Sequence, residues 1–166
     1  MRHRYKVLFL CTGNSARSIL AEYILRARAG DRFETYSAGM APRGAVHPQA
    51  LAVLAEQFQI DASDARSKSW REFEGVHFDF VITVCDKARE ACPSFPGQPV
   101  TAHWSSPDPA EFLGTPAATL RAFVDVAQQI NARLNILTAF RDEQLDAFAL
   151  DSIGRQHRHG QPHSQR

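Results

Sequence analysis

The spacing of apolar residues changes period several times along the chain. Tyr5-Lys-Val-Leu-Phe-Leu10 is a short apolar run rich in strand formers and closed by Thr12-Gly13-Asn14, which predicts a buried strand ending in a loop. From Ser18 the apolar residues Ile19, Leu20, Tyr23, Ile24 and Ala27 recur at helical spacing, with Ser18 placed to cap the start and Gly30 the end. Phe33 to Ala38 alternates and stops at Gly39, a second strand. Pro48 then opens a helix that puts Leu51, Leu54 and Phe58 on one face. Phe78 to Val84 reads as a third strand ending at Cys85, and Pro99 to Trp104 as a fourth. Ala117 to Ile153 contains no Gly or Pro, and Leu120, Val124, Ala127, Ile130, Leu134 and Leu137 keep helical spacing, which predicts one long closing helix.

Strands alternating with helices predict an α/β fold, a four-stranded parallel sheet covered on both faces by helices, because right-handed crossovers place helices on each side. The 166 residues suit a single domain, read as 1–153. Gly154 to Arg166 has no aliphatic side chain and reads as a disordered polar tail rather than a histidine metal site. Nineteen basic residues against eighteen acidic ones give a net charge of +1, too small for a field that gathers nucleic acid or membrane. The apolar run after the basic N-terminus, Val7 to Leu10, is too short for a signal core or a membrane span. Three cysteines, an odd number, fit a reducing cytoplasm better than a secreted disulfide framework.

The candidate chemistry sits in the loop after the first strand, Cys11-Thr12-Gly13-Asn14-Ser15-Ala16-Arg17-Ser18. Open parallel sheets place ligands just outside the carboxyl ends of their strands. A helix N-terminus there offers unpaired N–H groups and partial positive charge, Gly13 and Asn14 tolerate left-handed backbone angles, and Arg17 adds a two-pronged donor. Together they suit a tetrahedral oxyanion. The same donors predict a lowered pKa for Cys11 and a nucleophile aimed at the bound anion. Arginine is common in this chain, so the Cys11–Arg17 spacing alone says little. The strand before, the helix after and the small residues between carry the argument.

Val7-Leu-Phe-Leu-Cys-Thr-Gly-Asn-Ser-Ala-Arg-Ser18, with Ala21-Glu22, resembles the phosphate-binding loop of the low-molecular-weight protein tyrosine phosphatase superfamily, and more closely its arsenate reductase branch. Tyr36-Ser-Ala-Gly39, Val84-Cys-Asp86, Cys92-Pro93, His103-Trp104 and Asp108-Pro-Ala110 extend the resemblance in order, from about residue 5 to 142.

Cys85 and Cys92 make a poor zinc half-site, since six residues separate them and no second pair lies near. The intervening Asp-Lys-Ala-Arg-Glu-Ala is helix-forming. Seven residues of helix span about 10.5 Å, whereas a disulfide needs Cα atoms within about 7 Å, so pairing of these thiols requires the segment to unwind. The resemblance implies such a relay: arsenate is attacked by Cys11, Cys85 attacks Cys11, Cys92 attacks Cys85, and thioredoxin reduces the last disulfide, although the residues themselves suit a glutaredoxin or a low-molecular-weight thiol as donor equally well. It also implies Asp108 as general acid, in a Pro-Asp-Pro loop after the fourth strand. Asn14 and Ser18 read as loop supports bonding backbone and thiolate, and His103 and Trp104 as structural. Two departures stand out: Ala16 replaces a cysteine found in many relatives, and Lys68 falls where the resemblance puts an Asp that binds potassium together with Asn14, Glu22 and Ser37. A lysine ammonium there takes the place of the ion.

The expected function is thus reduction of arsenate to arsenite by a cytoplasmic monomer without metal or organic cofactor, with phosphate and sulfate as competing anions. Two other readings fit parts of the sequence. A phosphomonoester phosphatase would use Cys11, Arg17 and Asp108 without the other thiols, and a redox-sensing oxyanion-binding module would use the thiols without turnover.

Overall fold

The computed structural model describes residues 4–147. Four parallel strands form one sheet in the order β2-β1-β3-β4: β1 Tyr5–Cys11, β2 Phe33–Gly39, β3 Phe80–Thr83 and β4 Val100–His103. Four helices connect and cover them: α1 Arg17–Ala29, α2 Pro48–Phe58, α3 Asp86–Glu90 and α4 Pro116–Ala139. The α/β class, the four strands and their parallel pairing agree with the expected fold.

Strand β1 is central and nearly continuous in apolar residues because both of its faces are covered. Val7, Leu8, Phe9 and Leu10 are fully buried. α1 packs on β1 and β2, and α1, α2 and α4 pack on one another. Ile19, Leu20 and Ile24 of α1 meet Phe123, Ile130 and Leu134 of α4 in one core; Ala27, expected on the apolar face, is exposed. Other parts of the sheet are covered by α3, by the 3-10 turn Trp70–Phe73 and by aromatic rings rather than by long helices. Tyr36, on β2, meets Phe73 and Phe78 edge-on at 5.3 and 5.5 Å, and Phe78 meets Phe95 at 5.5 Å.

Two boundaries differ from expectation. Ser18 does not cap α1. The cap position is Ala16, whose side chain has nothing to donate or accept, so the first-turn N–H groups keep no protein side-chain partner. The closing helix ends at Ala139, not Ile153. Phe140 turns extended, and the Arg32 guanidinium donates to the Thr138 and Phe140 carbonyls at 3.0 and 2.7 Å, satisfying groups that a continuing helix would have used. Arg141 N–H donates to Gln144 Oε1 at 2.8 Å and the chain is helical again over 142–147. The rest of the expected helix, and the tail at 154–166, lie outside the described residues.

Leu8 tests the weight carried by the central strand. Leu8→Ala is expected to lower unfolding free energy by about 2–5 kcal/mol in urea titrations, because a methyl in place of a fully buried isobutyl leaves a cavity in a rigid layer.

Candidate active site

The carboxyl ends of β1 and β3 bring residues 11–17 and Cys85 together. The loop after β1 is shaped by where its carbonyls go. Met40, Ala41, Arg43 and His47 donate their backbone N–H groups to the carbonyls of Cys11, Thr12, Gly13 and Ser15, all at 2.9–3.0 Å. The segment after β2 is sewn along the outside of the loop. Its carbonyls thus engaged, the loop closes a cleft of about 360 Å³ lined by Cys11 to Arg17 and faced by Arg43, Cys85, Lys87 and Asp108. Asn14 supplies the left-handed residue the turn needs (φ 47°). Gly13 does not adopt such angles. It is small for another reason: a Cβ there would sit 3.0 Å from Nε of Arg43, whose side chain lies across it. Gly39 is small because a Cβ would meet the Thr12 carbonyl at 2.6 Å.

A buried polar cluster supports the loop from beneath. Asn14 Nδ2 donates to Ser18 Oγ at 2.7 Å and to Ser37 Oγ at 3.0 Å, while Asn14 Oδ1 accepts from the Lys68 backbone N–H at 2.9 Å. Ser37 donates to Glu22 Oε1 at 2.5 Å, and Glu22 Oε2 pairs with Arg26. Lys68 Nζ donates to Ser37 Oγ and to the Arg66 carbonyl, both at 3.1 Å, and stands 3.8 Å from Glu22 Oε1. Burial pushes the lysine pKa down and the Glu22 carboxylate pulls against it. The ammonium therefore occupies the space among Asn14, Glu22 and Ser37, as its position in sequence suggested. Asn14 and Ser18 support backbone and one another, but neither reaches a sulfur; that contact falls to Thr12.

Arg17 reaches into the cleft from the start of α1. Its Nη1 donates to the Ser106 carbonyl at 2.8 Å and its Nη2 lies 3.6 Å from Asp108 Oδ2. Asp108 Oδ1 accepts from the Ala110 N–H at 3.0 Å, which fixes the carboxyl at the head of the turn Pro109–Glu111. The expected acid thus faces the loop, next to the arginine.

All three cysteines are free. Cys11 and Cys85 both line the cleft, and Cys85 Sγ lies 3.2 Å from the Thr12 hydroxyl. The two thiols are coupled: the neighbouring Cys85 and burial push Cys11 up, the Arg17 guanidinium pulls it down, and ionisation of either thiol opposes that of the other. Cys85, beside Cys11 and in contact with the Thr12 hydroxyl, is pushed down in spite of its burial. One negative charge on the pair opposes a second. Cys92 lies beyond α3, in a second groove with Thr83, Arg89 and His103, and burial alone pushes its thiol up.

His103 and Trp104 hold elements together. His103 bridges Thr83 Oγ1 at 2.8 Å and Asp86 Oδ1 at 3.0 Å, tying β4 and β3 to the first turn of α3, and Trp104 packs on Phe9. Sequence reading missed Arg43 and Ser106. Arg43 lacked any signal beyond its place after β2, and Ser106 meets the site only through the fold. Among the described residues no group of three or more His, Cys, Asp or Glu side chains is placed to hold a metal ion, and no helix is long and apolar enough to cross a membrane.

Comparison with known proteins agrees with this geometry. The family model of the low molecular weight phosphotyrosine protein phosphatases matches residues 6–147. The arsenate reductase of Shouchella clausii is 38% identical over 128 residues, 77% of this chain and 91% of that protein. A solved arsenate reductase in a phosphate-binding state superposes with a TM-score of 0.66 at 29% identity, covering 81% of this chain and 97% of that one. A thioredoxin-dependent arsenate reductase from Corynebacterium glutamicum does so with a TM-score of 0.57 at 25% identity, covering 90% of this chain and 64% of that one. The chain belongs to the low molecular weight phosphotyrosine protein phosphatase family. Within it, the chain is similar to the arsenate reductases.

The thiol pair can be read directly. In the parent protein, thiolate absorbance should appear with a midpoint below the ordinary thiol range, the direction of the Cys85 shift. Thr12→Val is expected to move that midpoint up, because a hydrogen bond to a charged group contributes about 1.5–3 kcal/mol. An unmoved midpoint would mean that the Thr12 hydroxyl does not stabilise the thiolate.

Proposed function

We propose that the protein reduces arsenate to arsenite through Cys11, Cys85 and Cys92, and that thioredoxin returns it to the reduced state. The observation that carries this reading is that Cys11 and Cys85 line one cleft together with Arg17 and Asp108. A phosphatase has no use for a second thiol there.

Arsenate binds with its oxygens on the loop N–H groups and the Arg17 fork. Transfer of the Cys11 proton to Cys85 leaves the negative charge on Cys11 without changing the charge of the pair. The Cys11 thiolate attacks arsenic. One As–O bond breaks, and Asp108 gives its proton to the departing hydroxide, which leaves as water. Arsenic is now bound to Cys11 Sγ. Cys85 gives its proton to an arsenic-bound oxygen and, as the thiolate, attacks that sulfur. The S–As bond breaks with its electron pair going to arsenic, which leaves as arsenite, and a Cys11–Cys85 disulfide forms. Arsenic has gained two electrons and the two sulfurs have lost them.

Cys92 then attacks Cys85 Sγ and releases the Cys11 thiolate. With α3 folded, Cys85 and Cys92 lie at its two ends, so this exchange requires α3 to unwind. The unwinding moves the final disulfide away from the buried strand ends and towards an external dithiol. Thioredoxin as that dithiol is supported by the Corynebacterium relative. Phosphate and sulfate, of the same shape and charge, compete for the loop. Lys68 makes a bound potassium ion unnecessary, because its ammonium already stands beside Glu22 and Ser37.

NADPH oxidation by thioredoxin reductase and thioredoxin, started by arsenate, tests the scheme. Cys11→Ser and Cys85→Ser are expected to release no arsenite. Cys92→Ser should release one arsenite per protein and then stop as the Cys11–Cys85 disulfide, visible by mass. Continued turnover of Cys92→Ser with thioredoxin would overturn the three-thiol order, and absence of oxidation in the parent would overturn the reductase reading.

A further inference from the structure

The segment that carries Asp108 has little structure of its own. After Trp104, whose N–H closes the β3–β4 ladder at the Thr83 carbonyl, residues 104–108 form neither helix nor strand. Among the described residues, Ser105, Ser106 and Pro107 make three hydrogen bonds, and all three come from arginines. Arg17 donates to the Ser106 carbonyl from the cleft side. Arg133 donates from α4 through Nη1, to the Ser105 carbonyl at 2.8 Å and to Ser106 Oγ at 3.3 Å. Ser106, buried, lies between the two guanidinium groups.

We propose that Arg133 is a positioning residue for the oxyanion site, acting through the Ser105–Ser106 peptide on the fork of Arg17 and the carboxyl of Asp108. The proposal rests on the reading of the cleft as the oxyanion site. Arg133 lies on α4 between Ile130 and Leu134, both fully buried, so its backbone is fixed by the core. The Ser106 carbonyl in turn orients Arg17, because a guanidinium whose Nη1 is held by one acceptor can rotate only about that bond. The other nitrogens of the fork are left for the anion and for Asp108, 3.6 Å away. Without Arg133 the 105–107 segment keeps a single hydrogen bond, from Arg17 itself. The arginine would then hold a loop that nothing holds for it.

The cationic charge of Arg133 is not the argument, and the test separates charge from position. Binding of inorganic phosphate is measured by calorimetry on the full chain, which needs no turnover and stays readable if the protein proves not to reduce arsenate. Arg133→Ala is expected to weaken phosphate binding roughly five- to twentyfold, well inside the hundredfold loss that a displaced group can cause. Arg133→Lys, which keeps the charge and a donor, should recover binding to within about threefold of the parent. In an Arg17→Lys background, where no fork remains to be oriented, the loss from Arg133→Ala should fall below about twofold. Arg133→Gln replaces Arg133→Ala if the alanine variant does not fold. Binding unchanged in Arg133→Ala, or an equal loss in both backgrounds, would overturn the proposal, the second result showing that Arg133 acts only as a distant charge.

Discussion

The site depends on four backbone hydrogen bonds that run from the segment after β2 to the loop after β1. A tight loop at a strand end has carbonyls and N–H groups that must both find partners, and buried backbone groups left without them cost about as much as a lost hydrogen bond. Here the carbonyls of Cys11, Thr12, Gly13 and Ser15 are satisfied by Met40, Ala41, Arg43 and His47. The N–H groups are released from that duty and line the cleft with the first turn of α1, which carries no capping side chain. N–H groups gathered at a helix start favour negative charge. The two glycines follow from the same approach of chains, Gly39 under the Thr12 carbonyl and Gly13 under the Arg43 side chain.

Beneath the loop the problem is electrostatic. Glu22 is buried on α1 and would be costly as an isolated charge. Arg26, Ser37 and Lys68 surround it, and Asn14 links that group to the loop backbone. A buried ion pair contributes little net stability, since desolvation offsets attraction. Its effect lies in orientation. Asn14 holds a left-handed conformation, unfavourable for most residues, and its amide is fixed at both ends by Ser18, Ser37 and the Lys68 backbone.

Much of this was legible in the sequence, and the parts that were not have a common cause. Strand β1, the helices after Arg17 and Pro48, and the loop between Cys11 and Arg17 are local signals, set by period and by residues a few positions apart. The end of α4 was not legible, because no Gly or Pro marks it; it is Arg32, more than a hundred residues earlier, that takes the terminal carbonyls. The coupling of the two thiols' ionisation was not legible for the same reason: local donors pointed to Cys11, but β1 and β3 are neighbours in the sheet, and the strand order puts Cys85 on the same cleft. Arg133 and Ser106, 27 residues apart, carried no signal at all.

The same strand order bears on how three thiols with unlike pKa values work in sequence. Cys85, lowered by its neighbours, is the strongest candidate to be ionised in the resting protein, yet a thiolate buried among Cys11, Thr12 and the first turn of α3 cannot approach an external protein. Cys92 is half-buried and nearer the surface, but its raised pKa makes it a poor nucleophile while α3 is intact. α3 is only five residues long, too short to be stable without its surroundings, and Ala88 and the His103–Asp86 contact are what hold it. Oxidation of Cys85 ends its contact with the Thr12 hydroxyl at the start of α3, and with it part of what holds that end of the helix. Under the relay reading, consumption of the first two thiols is therefore also what frees the third: exposure lowers the Cys92 pKa towards its ordinary value, and the unwound segment brings it within reach of Cys85.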